Sequence, residues 1–99
     1  MKKRFLKTKP VCKVTFELPP QATRDASEVV LAGEFNDWDT HDSRMKRRKD
    51  GSYSITLDLP VNREYQFKYL IDGRWENDWH ADAYRHCHSG GYENSVVIV

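Results

Sequence analysis

With 99 residues, the chain has room for one compact domain and little more. Lys and Arg number 16 against 15 Asp and Glu, and this net charge of +1 gives the chain no overall basic bias of the kind that draws a domain to nucleic acid. Two cysteines are too few for a disulfide framework, and no stretch approaches the ~18 apolar residues of a membrane span.

The basic groups are unevenly placed. Lys2, Lys3, Arg4, Lys7 and Lys9 crowd the start, so residues 1–10 read as a solvated basic tail. Residues 11–99 read as a single domain. Phe5-Leu6 is interrupted by Lys7, so the tail has no signal-peptide apolar run, and a soluble, cytoplasmic protein is the default expectation.

From residue 11 the apolar pattern has period two, the mark of strands. In residues 11–18, Cys12, Val14, Phe16 and Leu18 share one face, which makes Cys12 a small core residue. Pro19-Pro20 closes that strand. Residues 28–35 form a second, mostly apolar strand, and residues 37–43 are irregular. Residues 44–48 read as one short strand leading into the turn signal Asp50-Gly51. Residues 52–59 follow, with Tyr53, Ile55, Leu57 and Leu59 on one face.

In residues 64–71, Tyr65, Phe67, Tyr69 and Ile71 face inward, while Gln66, Lys68 and Leu70 face outward. Asp72-Gly73 makes a second turn, and residues 74–77 return from it. Residues 78–91 read as a long loop in which Trp79 packs down, and residues 95–99 close the fold. About seven short strands without an amphipathic helix predict an all-β, immunoglobulin-like sandwich.

The hairpin at Asp72-Gly73 carries the functional reading. A two-residue turn sets Leu70 opposite Trp75 and Lys68 opposite Asn77. Gln66, Lys68, Leu70, Trp75 and Asn77 then share the outer surface, with Lys68 diagonal to Trp75 at ~7–8 Å. A three-residue turn would swing the indole into the core instead. Trp38 follows Asn36-Asp37 and precedes Asp39-Thr40-His41-Asp42, a polar setting that suits an exposed ring better than a buried one. Indole, ammonium and amide together are what a pyranose needs: a flat apolar platform with hydrogen-bond partners at its rim.

Three segments carry a family likeness: Val30-Leu31-Ala32-Gly33-Glu34-Phe35-Asn36-Asp37-Trp38, then Tyr65-Gln66-Phe67-Lys68-Tyr69-Leu70-Ile71-Asp72-Gly73-Arg74-Trp75, then Glu93-Asn94-Ser95-Val96-Val97. In this order they resemble the glycogen-binding, isoamylase N-terminal (early-set) domains of carbohydrate-binding module family 48. That family includes the glycogen-binding domain of the AMP-activated protein kinase beta subunit. The resemblance spans roughly residues 29–99. It implies an early-set sandwich that binds α-1,4-linked glucans, as polysaccharide or oligosaccharide, without cleaving them and without a cofactor. It also implies roles: Trp38 and Trp75 as stacking aromatics, Lys68 as the sugar-contacting lysine, and Asn94 as a hydrogen-bonding partner of glucose hydroxyls. Two departures stand out. The stretch 87–92 has no clear equivalent of the family's aliphatic and hydroxyl contacts, and Asp78-Trp79 replaces the family's Asp-Pro.

The rival readings are weaker. Glu34, Asp37, Asp39 and Asp42 supply carboxylates near Trp38, but acids clustered in loops are ordinarily solvated turn residues, so no catalysis is expected. His80, His86, Cys87 and His88 are potential metal ligands, yet neighbours in an extended segment point to opposite sides, so no metal is expected. Arg44, Lys46, Arg47, Arg48 and Lys49 are not interleaved with aromatics, so neither nucleic acid nor membrane is an expected partner. The serious alternative is a protein-interaction or scaffold module of the same fold, silent toward sugar. On either reading a glucan-metabolising enzyme or another protein is a natural companion.

Overall fold

The computed structural model describes residues 1–87 and 91–99. It is an all-β sandwich of two antiparallel sheets, as the patterning predicts. Strand β1 (Lys2–Phe5) pairs with β2 (Val11–Leu18). Strands β3 (Val29–Gly33) and β4 (Ser43–Arg44) form one edge of the second sheet, while β5 (Lys46–Arg47) and β6 (Tyr53–Pro60) complete the first. Strand β7 (Glu64–Ile71) is central to the second sheet. Strand β8 (Arg74–Glu76) turns back along it, and β9 (Ala83–Cys87) and β10 (Tyr92–Ile98) fill the other side. The orders are β1-β2-β6-β5 and β4-β3-β7-β10-β9.

The alternation of β2 is realised residue by residue: Cys12, Val14, Phe16 and Leu18 are buried and their neighbours half-buried. Across the sandwich, Phe16 meets Phe67 edge to face at 5.1 Å, and Phe67 meets Tyr69 at 5.7 Å. Such T-shaped pairs add to burial because a positive ring edge meets a negative face.

Four local expectations are corrected. Residues 1–10 are not simply a solvated tail: Lys2–Phe5 runs antiparallel to β2, and Lys3 Nζ reaches Asp82 at 2.6 Å. Asp82 also accepts the Ile98 amide at 2.8 Å, so one carboxylate ties the first sheet to the second. Residues 44–48 are not one strand. Met45 turns into the core with its amide on the Val29 carbonyl, and the strands on either side of it join different sheets. The long loop contains β9, an edge strand paired to β10 with Tyr92 opposite Cys87. Trp79 does not pack down; it is 59% exposed.

The corner after β8 is hydrogen-bonded throughout. The Tyr69 hydroxyl donates to the buried Asp78 carboxylate at 2.7 Å, and the Asp78 amide donates to Ser95 Oγ at 2.8 Å. Burial first, then the Asp78 charge, push the Tyr69 phenol far above its ordinary value. An unfolded Tyr69 loses its proton near the ordinary 10.0 while the folded one keeps it. This contribution is therefore whole below about pH 10 and is lost as pH rises through the folded value. Urea unfolding is expected to show a lower midpoint at about pH 11 than at about pH 8, and Tyr69→Phe to flatten part of that slope.

Candidate functional site

Asp72 and Gly73 both adopt positive φ, 48° and 83°, as a primed two-residue turn requires. The Asp72 carboxylate accepts the amides of Ser27 and Glu28 at 3.0 and 2.8 Å, which pins the turn against the neighbouring loop. The register sets Ile71 opposite Arg74 and Leu70 opposite Trp75. The indole therefore stands on the outer face with Lys68, and Trp75 is 45% exposed.

Trp38 arrives by another route. After β3 the chain makes a 3-10 turn, Glu34–Asn36, anchored by Phe35 packing on Phe16 and Tyr65 at 5.6 and 6.1 Å. Asn36 locks the turn: its Oδ1 accepts the Gly33 amide, and its Nδ2 donates to the Leu31 carbonyl and Ser43 Oγ. Asp37 and Trp38 then both take left-handed backbone, φ 56° and 58°. That conformation is rare for a bulky residue and is held here by the Trp38 amide donating to the Gly33 carbonyl at 2.8 Å. The result is a half-buried indole on the same face as Trp75.

Strand β10 contributes Asn94. Ser95 lies opposite Phe67, so the same register carried one residue further seats Asn94 beside Lys68. Asn94 Nδ2 donates to Gln66 Oε1 at 3.0 Å. Asn94 Oδ1 is buried and has no hydrogen-bond partner among the described residues.

These side chains line one groove of about 670 Å³, within the usual range for a small-molecule site. Trp38, Lys68, Trp75 and Asn94 are brought together in it. Asn77 is not. The place opposite Lys68 belongs to Asn94, because β10 takes over the edge of β7 where β8 stops at Glu76. Asn77 instead donates to the Glu93 carbonyl at 3.0 Å and accepts from Ser95 Oγ at 2.8 Å, as a strut beneath the corner.

Four further residues line the groove without having been assigned to it: Glu34, Gln66, Cys87 and Tyr92. Gln66 was already visible on the outer face by alternation. Tyr92 sits two positions before Asn94, the spacing that puts two strand residues on one face. The stretch that lacked the family's contacts therefore supplies an aromatic, with Lys68 Nζ 5.3 Å from the ring centroid. The Cys87 side chain beside it raises the Tyr92 phenol above its ordinary ionisation range.

Chemically the groove suits a flat, hydroxylated ligand. It has apolar ring walls and, at its floor, an ammonium and two side-chain amides. Among the described lining residues Glu34 is the only carboxylate, and it accepts the Gln66 backbone N–H at 2.7 Å. Hydrolysis of a glycosidic bond needs two carboxyl groups flanking it. Among the described residues no three His, Cys, Asp or Glu side chains are placed to hold a metal ion; His88 lies outside those residues. No helix among them is long and apolar enough to cross a membrane.

Residues 7–99 match the protein family described as the glycogen recognition site of AMP-activated protein kinase. An Arabidopsis thaliana protein, PTST homolog 2, chloroplastic, is 38% identical over 74 residues, covering 75% of this chain and 13% of that protein. The human 5'-AMP-activated protein kinase subunit beta-2 is 39% identical over 51 residues, 52% of this chain and 18% of the subunit. Subunit beta-1 of Sus scrofa is 39% identical over 57 residues, 57% of this chain and 43% of the matched protein. The chain thus spans less than half the length of each of these relatives.

Proposed function

The chain belongs to the family of glycogen recognition sites of AMP-activated protein kinase, and from that premise we propose that it is a non-catalytic module for α-1,4-linked glucans. The observation that carries the reading is the convergence of Trp38, Trp75, Lys68 and Asn94 on one groove, from three separate stretches of chain. Trp75 and Trp38 stack on the apolar faces of glucose rings. Lys68 donates to hydroxyls, and the Gln66–Asn94 amide pair fixes the orientation of the hydroxyl rim.

Each indole contributes ~1–3 kcal/mol by removing apolar surface from water. Desolvated hydroxyls and lost sugar flexibility offset much of this, which places the affinity at ~10 µM to mM. The relatives extend well beyond the matched segment, so the proposal concerns the domain: it brings a neighbouring domain or associated protein to a glucan surface. The cytoplasm is the expected setting, although the Arabidopsis relative is named as chloroplastic.

Co-sedimentation with glycogen and with starch, using cellulose as the control, tests the reading. The protein is expected in the pellet with both α-glucans and in the supernatant with cellulose. A protein that stays in solution with all three overturns it in favour of a protein-docking module.

A further inference from the structure

We infer that Tyr92 is a positioning residue of this groove, holding the Lys68 ammonium against its ring without a carboxylate partner, so that the N–H donors turned away from the ring stay available to sugar hydroxyls. The inference rests on the glucan-binding reading and adds to it a residue from the segment where the family's usual contacts are missing.

A lysine side chain is a flexible stem carrying a compact, strongly hydrated charge, and it must be ordered before it can donate in a fixed direction. A carboxylate partner would order it but would consume donors. No ion pair of Lys68 with a carboxylate is present among the described residues. Its ammonium lies 5.3 Å from the Tyr92 ring centroid, inside the ~6 Å reach of a cation–π contact. That contact attracts the charge through the ring quadrupole and leaves the N–H groups on the far side of the ammonium free.

The ring is carried by a paired strand: the Tyr92 backbone lies opposite Cys87 in the β9–β10 ladder. Tyr92 and Asn94 alternate onto the same face of β10, so the ring, the ammonium and the Asn94 side chain, whose Oδ1 has no hydrogen-bond partner among the described residues, front one groove. Tyr92 is 50% exposed, so its replacement leaves the core untouched.

Calorimetric titration with β-cyclodextrin, a closed ring of α-1,4-linked glucose, separates the possibilities. Tyr92→Leu is expected to weaken binding about three- to five-fold, the effect of losing an exposed cation–π contact, while Tyr92→Phe stays near wild type because the ring is kept. Lys68→Met with Tyr92→Leu is expected to bind no more weakly than Lys68→Met alone, because the tyrosine acts through the lysine. Without sugar, the side-chain methylene protons of Lys68 are expected to show an upfield ring-current shift in wild type and Tyr92→Phe, and to lose it in Tyr92→Leu. Unchanged affinity in Tyr92→Leu, equal losses in Phe and Leu, or a double variant weakened by the product of the singles would each overturn the inference. Failure of the wild type itself to bind overturns the glucan reading instead, and the sugar role of Tyr92 falls with it.

Discussion

Trp75→Ala is expected to leave the protein folded and to remove it from the glycogen pellet. Trp75 stands on the outer face of a three-residue strand, 45% exposed, so its loss opens no cavity in the core. Its indole is an exposed flat surface lining the groove. Losing ~1–3 kcal/mol of stacking corresponds to a fall of about five- to 150-fold in affinity. At the upper end of that fall the variant leaves the pellet, and at the lower end the pelleted fraction drops. The amide proton–nitrogen spectrum should keep its dispersion outside the β7–β8 hairpin. An intact spectrum with undiminished pelleting would remove the stacking mechanism.

That hairpin was legible in the sequence for identifiable reasons. Asp-Gly at the turn accepts positive φ, and the strict alternation of residues 64–71 leaves one register that buries Tyr65, Phe67, Tyr69 and Ile71 together. Trp75 and Lys68 follow from that register alone. Asn77 was misassigned by extending the hairpin beyond its end. Nothing in a hairpin pattern says that a distant strand, β10, will claim the place opposite Lys68.

Edge strands were harder to read, because their fit is decided by neighbours distant in sequence. The β9 strand exposes Tyr84, Arg85 and His86 in succession, leaving no apolar period, and its pairing depends on β10. The β1 strand is almost wholly charged and is held by its ladder and the Lys3–Asp82 pair. Tyr92 stayed hidden from the site for the same reason. Its role depends on the β9–β10 pairing that brings Cys87 to its side and on the reach of Lys68 from β7.

Gly33→Ala is the change expected to damage fold and site together. Gly33 has extended backbone, φ −172°, which any residue adopts, so the constraint is space rather than torsion. A Cβ there would lie 2.6 Å from the Gln66 carbonyl oxygen and 2.8 Å from Phe67 Cβ. Neither atom belongs to the far end of a flexible side chain, so the β3–β7 pairing itself must open. Overpacking of this kind costs about 1–3 kcal/mol, and in a domain of this size each 1 kcal/mol lowers Tm by about 4–8 °C. Gly33 also accepts the Trp38 amide through its carbonyl and donates its own amide to Asn36, the two bonds that hold the left-handed turn. Displacing it should therefore tilt the Trp38 indole out of the groove even where the chain remains folded. The expected result is a Tm lowered by about 10–20 °C. Below that Tm, the folded variant should bind β-cyclodextrin more weakly than wild type. Asn36→Ala, which adds no Cβ clash, is expected to weaken binding in the same sense through loss of the turn's hydrogen bonds. If Gly33→Ala melts with wild type, the close approach of β3 to β7 is not the restraint that aims Trp38.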